Sequence, residues 1–381
     1  MVIEQNQIGI LFKKIKTLKK KEIILYLIVS IILITGVVPI FHNYNWYDTT
    51  IVKIKTVENS LSEESKESSA KEKYFNQVVI GVIMNGDYLG QNVFLQNKYS
   101  SSGVLDEKYK AREEVFIKID SVDNGKITGS IIGFKRDKYM AVLLALFILF
   151  LFMITKKKAF FTFISLTANI AVLCYALNLN HKGHNIWVIS ICLALFFTFF
   201  SLILISGLKK KTFAAILSTL ISLSFTMILF KIFMVFTQGV DYTYMGYIAG
   251  QNYLSDLFLS QILIGGLGAI MDIAITEASA INELVDINSK ISIKDLISSG
   301  REVGHDIMGT MINIMLFTYI CGIIPLIILK MKNNIELHTI IIWQVPMELY
   351  GFMIGSIGIL LTIPISLTVS IIVFKKLRRS I

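Results

Sequence analysis

The chain contains few of the residues that cross-link or interrupt a soluble domain, with three cysteines and four prolines among 381 residues. Cys174, Cys192 and Cys321 all lie inside apolar segments, and the region 41–138 contains no cysteine. That region must therefore fold without disulfides. No two cysteines have the CxxC spacing, which argues against a zinc finger or a thiol redox site.

The sequence also lacks the usual nucleotide-binding and hydrolase motifs. The absence of a GxxxxGK[ST] loop argues against a self-powered pump, and neither HExxH nor GxSxG occurs. An intramembrane hydrolase that uses two acids is the remaining enzymatic alternative, although no GxGD pattern supports it. His181 and His184 in HKGH have no carboxylate support, so we expect them to be solvated rather than metal-bound. We therefore expect no enzymatic activity, metal or cofactor.

Charged residues are scarce, at 17% of the chain against 54% hydrophobic residues, which is too apolar for an ordinary soluble domain. The net charge of +10 comes from short basic clusters beside apolar runs, as at the flanks of membrane spans. No arginine-rich arm or interleaved aromatic and basic surface is present, so nucleic acid is not an expected partner. The expected environment is the lipid bilayer.

Eight apolar segments are long enough to be membrane spans, since about 20 residues cross about 30 Å of hydrocarbon. The sequence thus predicts an α-helical polytopic membrane protein. The first span is preceded by basic residues and is not followed by a small-x-small cleavage site, so it resembles a retained signal anchor. The predicted spans lie near 23–40, 139–155, 159–179, 186–207, 212–236, 257–278, 307–329 and 345–374.

The distribution of basic residues predicts that both termini lie inside. With this orientation the inner side carries Lys13 to Lys21, Lys156 to Lys158, Lys209 to Lys211, the connector 279–306 and Lys375 to Arg379. We expect the protein in the bacterial cytoplasmic membrane, with residues 41–138 outside the cytoplasm. The domains are then 1–40, an inner N-terminus with the first helix; 41–138, the outer domain; and 139–381, seven further helices.

The outer domain 41–138 has the pattern of a small β-barrel or sandwich, with an OB-like barrel as one form. The segments IVKIKTV, NQVVIGVIM, NVFLQN, EEVFIKID and KITGSIIGF have strand character. Asn85-Gly86 and Asn124-Gly125 lie between such segments and are typical hairpin turns. Residues 58–73 contain few apolar residues, which predicts a flexible insertion.

The last three spans carry polar residues that lipid does not explain. An ionisable residue at membrane depth usually faces a bundle interior or an aqueous cavity. Helical spacing places Asp272 on one stripe of the sixth span and Glu277 well away from that stripe. We expect Asp272 and Asp306 to face each other near the inner end of the sixth and seventh spans. The candidate polar site is Asp272, Glu277, Asp306, Thr310, Asn313 and Glu348. Spans two to five, in contrast, are expected to form a lipid-facing scaffold.

Small residues recur on the same helices, in small-xxx-small patterns that allow close approach of two helix backbones. Helix packing is the plain explanation of these patterns. Pro325 and Pro364 also interrupt the last spans, which occurs both in transporter sites and in simple kinks. The predicted packing residues are Gly265, Gly268, Ala269, Gly309, Gly351, Gly355 and Gly358.

Two blocks, GGLGAIMDIAITEASAINEL at 265–284 and SGREVGHDIMGTMINIMLFTYICGIIPL at 299–326, resemble the YibE/F-like integral membrane proteins. Arg136 to Tyr139 resembles the element that ends the outer domain in that family. The sequence departs from the family pattern at His305, where arginine is usual, and at Glu277, where a small or hydroxyl residue is commoner. The resemblance implies this architecture rather than an activity.

For function, the intramembrane carboxylates on glycine-rich helices favour a permease or channel-like protein for a small solute or ion. Asp272 and Asp306 would be polar or proton-coupling groups, with Thr310 and Asn313 as hydrogen-bond partners. The alternative is a scaffold that transports nothing, whose β domain binds an envelope protein. A homo-oligomer is compatible with either hypothesis.

Overall fold

The computed structural model describes residues 20–62, 73–103, 106–123, 126–156, 158–236 and 254–376. The chain divides into two compact units, Met1–Lys157 and Lys158–Ile381. The basic residues Lys13 to Lys19, most of the predicted insertion (63–72) and the Asn124-Gly125 turn lie outside the described residues.

The first unit contains a closed five-stranded barrel with the order β1-β2-β3-β5-β4. β3 and β5 pair in parallel and the other neighbouring strands in antiparallel orientation, with β1 and β4 closing the barrel. Alternate residues such as Val52, Val79, Leu95 and Ile117 fill its interior, because side chains alternate between the two faces of a strand. The five predicted strands are thus confirmed, with bounds β1 Thr50–Leu61, β2 Tyr74–Ile83, β3 Asn92–Ser100, β4 Glu114–Asp123 and β5 Lys126–Phe134.

Two details of the barrel bear on the predictions. Asn85-Gly86 lies between β2 and β3, and Gly86 has a φ of 78° that favours glycine. β1 continues to Leu61, which pairs with Phe75 of β2. Residues 58–61 are therefore a paired strand, and the prediction that the flexible insertion begins at 58 was wrong.

Two apolar helices belong to the same unit as the barrel. α1 (Lys20–Val37) is followed by two 3₁₀ turns, Val38–His42 and Tyr44–Trp46, that enter β1. α2 (Asp137–Thr155) begins directly after β5 and packs along α1. The barrel is thus connected to two adjacent helices by short segments of chain.

The second unit is a helical bundle centred on α8, which packs against α5, α6 and α7. α4 packs on α6, and α3 packs on α4. The helices are α3 Lys158–His181, α4 Ile186–Ser206, α5 Lys210–Phe236, α6 Leu254–Ile287, α7 Ile293–Lys332 and α8 Leu337–Ile371, the last followed by a π-helical turn Ile372–Lys376.

Within the described residues, eight helices are long and apolar enough to cross a membrane, which is the predicted number. α6 and α7 are longer than their predicted spans, because the polar connector 279–306 is itself largely helical. A short turn joins the two helices, and Ser292 caps α7 by accepting a hydrogen bond from the Asp295 N–H at 3.0 Å. The connector is therefore two helix ends rather than a loop.

One expectation about the bundle was wrong. α5 was predicted to be lipid-facing scaffold, but 56% of its most apolar segment is buried inside the bundle. Its small residues Ala214 and Ala215 pack with Ala278 and Ile281 of α6. These small side chains allow the helices to approach closely, which places α5 in the core.

Candidate functional site

The most unusual buried group in the second unit is the carboxyl of Glu277 on α6. Its side chain has no exposed surface, and neither carboxylate oxygen has a hydrogen-bond partner of normal geometry among the described residues. Ser366 of α8 is the side chain that lies against the carboxyl. Buried polar groups are nearly always paired, so this carboxyl requires an explanation other than packing.

The register of the three central helices places hydroxyl groups around the same level. A Cβ atom built on Gly358 of α8 would lie 3.0 Å from Ile270 Cδ1 of α6 and 3.1 Å from Thr226 Oγ1 of α5. Glu277 lies two helical turns after Ile270 on α6. Thr219 lies two turns before Thr226 on α5, which runs in the opposite direction, so both residues are at the same level. The Ser366 hydroxyl donates to the Ala274 carbonyl at 3.4 Å, which fixes α8 at this level.

The hydroxyl groups of α5 were missed by the sequence reasoning. Ser218, Thr219 and Ser222 are all fully buried. Ser218 and Thr219 donate to carbonyls one turn back at 2.7 and 2.8 Å, while the Ser222 hydroxyl has no partner among the described residues. We call the buried groups Ser218, Thr219, Ser222, Glu277, Thr362 and Ser366 the polar seam.

The stripe of Asp272 lies on the opposite side of α6 and is exposed. Asp272 and Thr276 on α6, and Asp306 and Asn313 on α7, all face outward in this single chain. The hydroxyl of Thr276 donates to the Asp272 backbone carbonyl, not to its carboxylate. Thr310 is likewise exposed, and its hydroxyl donates to the Ile307 carbonyl at 2.8 Å.

Helical spacing therefore correctly separated Glu277 from the stripe of Asp272. Asp272 and Asp306 are both exposed, and no hydrogen bond joins their carboxyl groups among the described residues, so their facing each other stays a prediction. Glu348 is half-buried at the other end of the bundle, near Tyr319. The polar site predicted as one group is thus divided between the polar seam, an exposed face and the half-buried position of Glu348 near Tyr319.

Most of the predicted packing residues lie at helix contacts. Tyr319 of α7 fills the space beside Gly265 and Gly351, with its hydroxyl 2.7 Å from a Cβ built on Gly265 and its ring 2.5 Å from one built on Gly351. Gly355 lies against Met315, and Gly358 lies against Thr226 and Ile270. Ala269 packs beside the cluster that contains Met315. Gly268 and Gly309 have no atom within 4 Å of their Cβ positions, so neither packs as predicted within this chain.

A second buried polar group lies in the first unit, where the barrel meets α1 and α2. Lys135 is completely buried, with its Nζ 2.8 and 2.9 Å from the two Asp137 oxygens and 3.7 Å from a Glu114 oxygen. The Tyr44 hydroxyl donates to Glu114 at 3.0 Å, and the Tyr47 hydroxyl donates to Asp137 at 2.9 Å. We call these five residues the lysine junction. It joins the chain after α1, the barrel wall and the start of α2.

Asn85 holds the neighbouring chain in place. Its amide donates to the carbonyls of Tyr44, Tyr47 and Thr49 at 3.0 Å each, and its carbonyl oxygen accepts from the Ile51 N–H at 2.6 Å. The sequence identified Asn85 as a turn residue, but its partners are 34 to 41 positions away. Local turn chemistry therefore could not reveal this role.

Family models match most of the chain. A YibE/F-like protein model matches residues 143–376, and a YibE/F family N-terminal domain model matches residues 45–134. No curated protein and no solved structure matches this chain. The N-terminal match contains the barrel, and the other match begins within α2 and contains most of the helical bundle. The chain belongs to the YibE/F family.

Proposed function

We propose that this chain is a permease or channel-like protein that passes a small solute or ion along the polar seam between α5, α6 and α8. The observation that carries the proposal is the buried carboxyl of Glu277, whose two oxygens have no hydrogen-bond partner among the described residues. An isolated buried charge costs several kcal/mol, and ionisable residues inside membrane spans mark ion and substrate pathways. A bundle that served only as a scaffold would gain stability from an apolar residue at this position.

In this proposal both termini lie on the inner side of the bacterial cytoplasmic membrane and the barrel lies outside. Asp272 is six residues before the end of the apolar part of α6, or about 9 Å along a helix that rises 1.5 Å per residue. Lipid tails do not solvate a carboxylate at that depth. The exposed face with Asp272, Asp306 and Asn313 is then the wall of an aqueous cavity on the inner side, across α6 from the polar seam.

Flux into reconstituted vesicles tests the function directly. The wild-type protein is reconstituted and its permeability to a panel of inorganic ions and small neutral solutes is measured against protein-free vesicles. Glu277→Gln is expected to reduce the protein-dependent flux roughly 10- to 150-fold, because hydrogen bonds to a charged group contribute about 1.5–3 kcal/mol. Glu283→Gln is the matched control, since Glu283 is on α6 but exposed. Equal fluxes for wild type and Glu277→Gln would refute the proposal.

Thiol labelling tests the cavity separately. With the three native cysteines replaced, single cysteines at Gly268, Asp272 and Gly309 are exposed to a membrane-impermeant thiol reagent. We expect these positions to react from the inner side, whereas a cysteine at Ile324, an exposed apolar position of α7, stays protected by lipid. Protection at all four positions would contradict a water-filled wall and would favour a covered helix surface.

The alternative scaffold function is favoured by one feature of the barrel. Its strand order with a parallel β3–β5 pair fits an OB-like barrel, in which the face of strands 2 and 3 is the usual ligand surface. On that face Val78 and Phe94 are exposed apolar residues, and Ile80 pairs directly with Phe94. A scaffold would bind an envelope protein there.

Photo-crosslinking in intact cells distinguishes this alternative. A photoreactive residue replaces Phe94 in one variant and Lys118, which is exposed on β4, in the control. A discrete crosslinked partner from position 94 alone, together with no flux in vesicles, would support the scaffold. Measured flux without such a partner would reject it.

A further inference from the structure

The surroundings of Glu277 leave no room for a second atom beside its carboxyl. Glu277 has no exposed surface, and both oxygens are inaccessible to water. On α6 its neighbours Ile273, Ala274 and Ala278 are also fully buried. A void that could hold a water molecule next to the carboxyl would leave accessible surface on these oxygens. The carboxyl is therefore in a closed and dry position.

No positively charged side chain in the described part of the chain pairs with the carboxyl. Neither Glu277 oxygen has a hydrogen-bond partner among the described residues, charged or neutral. Apart from Glu277 and the half-buried Glu348 near Tyr319, the charged residues of the described helices around it lie at helix ends or on exposed faces. Besides Glu277, the charged residues of these helices are Lys210, Lys211 and Lys231 on α5, Asp256, Asp272, Glu283 and Asp286 on α6, Lys294, Asp295, Arg301, Glu302, His305, Asp306, Lys330 and Lys332 on α7, and His338 and Glu348 on α8.

A metal cation does not fit the closed position. Na⁺, K⁺ and divalent ions require several oxygen ligands arranged around the ion, and here one hydroxyl group, that of Ser366, lies against the carboxyl. A proton requires no additional space and removes the uncompensated charge. A neutral carboxylic acid can also donate one hydrogen bond, which a carboxylate cannot.

We propose that Glu277 is a proton-binding site, occupied by a proton in this closed arrangement, with Ser366 as its positioning residue. The Ser366 hydroxyl can accept a hydrogen bond from the protonated acid or donate one to the carboxylate, so it accommodates both forms. The role of this proton in transport rests on the proposed function. Its presence follows from the packing alone. The ion that the polar seam exchanges is then H⁺.

Pro364 supports this assignment on the α8 side. It lies two residues before Ser366 and has no N–H, so the carbonyl of Leu360 loses its usual partner in the helix. α8 is consequently weakened at the level of the carboxyl. A local change in α8 at this position would admit water to Glu277 and allow the proton to exchange.

Infrared spectroscopy of the purified full chain tests the proposal without any transport measurement. A protonated carboxylic acid has a C=O stretching band that a carboxylate lacks. At neutral pH the wild-type minus Glu277→Gln difference spectrum is expected to contain one such band, and the wild-type minus Glu283→Gln spectrum none. Ser366→Ala is expected to shift the band without removing it, because the acid loses the neighbouring hydroxyl that can accept its proton in a hydrogen bond. Gln has the shape of the protonated acid, so the variant is expected to fold, which its gel-filtration profile and circular dichroism verify.

Two results would overturn the proposal. The first is the absence of the band from the wild-type minus Glu277→Gln spectrum of folded protein at neutral pH. The second is loss of the band when sodium or potassium chloride is added at constant pH, which would show that the site takes a metal cation. A band that is present while flux is unaffected by Glu277→Gln would instead uphold the proton site and reject the permease function.

Discussion

The lysine junction provides the sharpest stability prediction, through the substitution Lys135→Met. Methionine keeps the length of the buried side chain but removes the charge that lies between Asp137 and Glu114. Removing one partner of a buried ion pair costs about 3–5 kcal/mol, because the other charge stays buried and uncompensated. Lys138 lies 3.4 Å from the other Glu114 oxygen and partly compensates the loss, so we expect the lower limit of about 3 kcal/mol.

Urea unfolding of the purified chain measures this cost. Trp46 lies in the 3₁₀ turn beside the junction, and its fluorescence is isolated by replacing Trp187 and Trp343 with phenylalanine. With a slope of about 1–3 kcal/mol per molar urea, a loss of 3 kcal/mol lowers the midpoint by about 1–3 M. Lys135→Met and its control Arg136→Met are both made in this background.

The adjacent residue supplies the control. Arg136 also forms an ion pair, with Glu107, but its side chain is 62% exposed, and an exposed pair contributes about 0–1 kcal/mol. Arg136→Met should therefore leave the midpoint nearly unchanged. If both methionine variants unfold at the same urea concentration, the reasoning that the junction holds the barrel to its two helices is refuted.

Two further predictions concern pH and packing. Burial, followed by the hydrogen bond and charge of Glu114, raises the pKa of Tyr44 from its ordinary value of 10.0 to about 12. Because the folded state keeps this proton longer than the unfolded state, the resulting stabilisation is complete below pH 10 and is lost as the pH rises through 12. The stability advantage of wild type over Tyr44→Phe should therefore shrink across this range, and a constant difference would contradict the assignment. Gly351→Ala should lower the thermal unfolding temperature, by an amount equivalent to about 1–3 kcal/mol, because its Cβ meets the Tyr319 ring. Gly268→Ala is the control: its Cβ meets no atom within 4 Å, so this substitution should be neutral or stabilising by up to about 1 kcal/mol. Equal losses of stability in the two variants would refute the packing account.

The architecture was largely predictable from the sequence, because its signals are local. Eight apolar helices follow from segment length and composition, and the barrel strands follow from alternation such as that in EEVFIKID. The helix ends in 279–306 were not predicted, because hydropathy identifies segments that are apolar enough to cross a membrane and does not report whether the polar residues beyond them are helical. Residues beyond the apolar segment can continue a helix in water, as Val285 and Leu296 do while packing on the bundle.

The site was only partly predictable for a different physical reason. Periodicity gives the angle between Asp272 and Glu277 around α6, but it does not decide which of them faces the bundle. In a membrane protein both lipid and core are apolar, so the hydrophobic pattern of a helix does not select its buried side. Hydroxyl groups such as those of Ser218 and Thr219 can bond to their own helix, so their burial has no sequence signature either. The lysine junction was hidden because Tyr44 and Lys135 are far apart in the chain.

The central claim is that the buried carboxyl of Glu277 is the working group of a membrane permease or channel. The most direct measurement is proton flux, driven by an imposed pH difference, into vesicles that contain equal amounts of wild type, Glu277→Gln or Glu283→Gln. The account predicts flux for wild type and Glu283→Gln and a loss of at least roughly tenfold for Glu277→Gln. Equal flux from all three proteins, or flux no greater than that of empty vesicles, would contradict it.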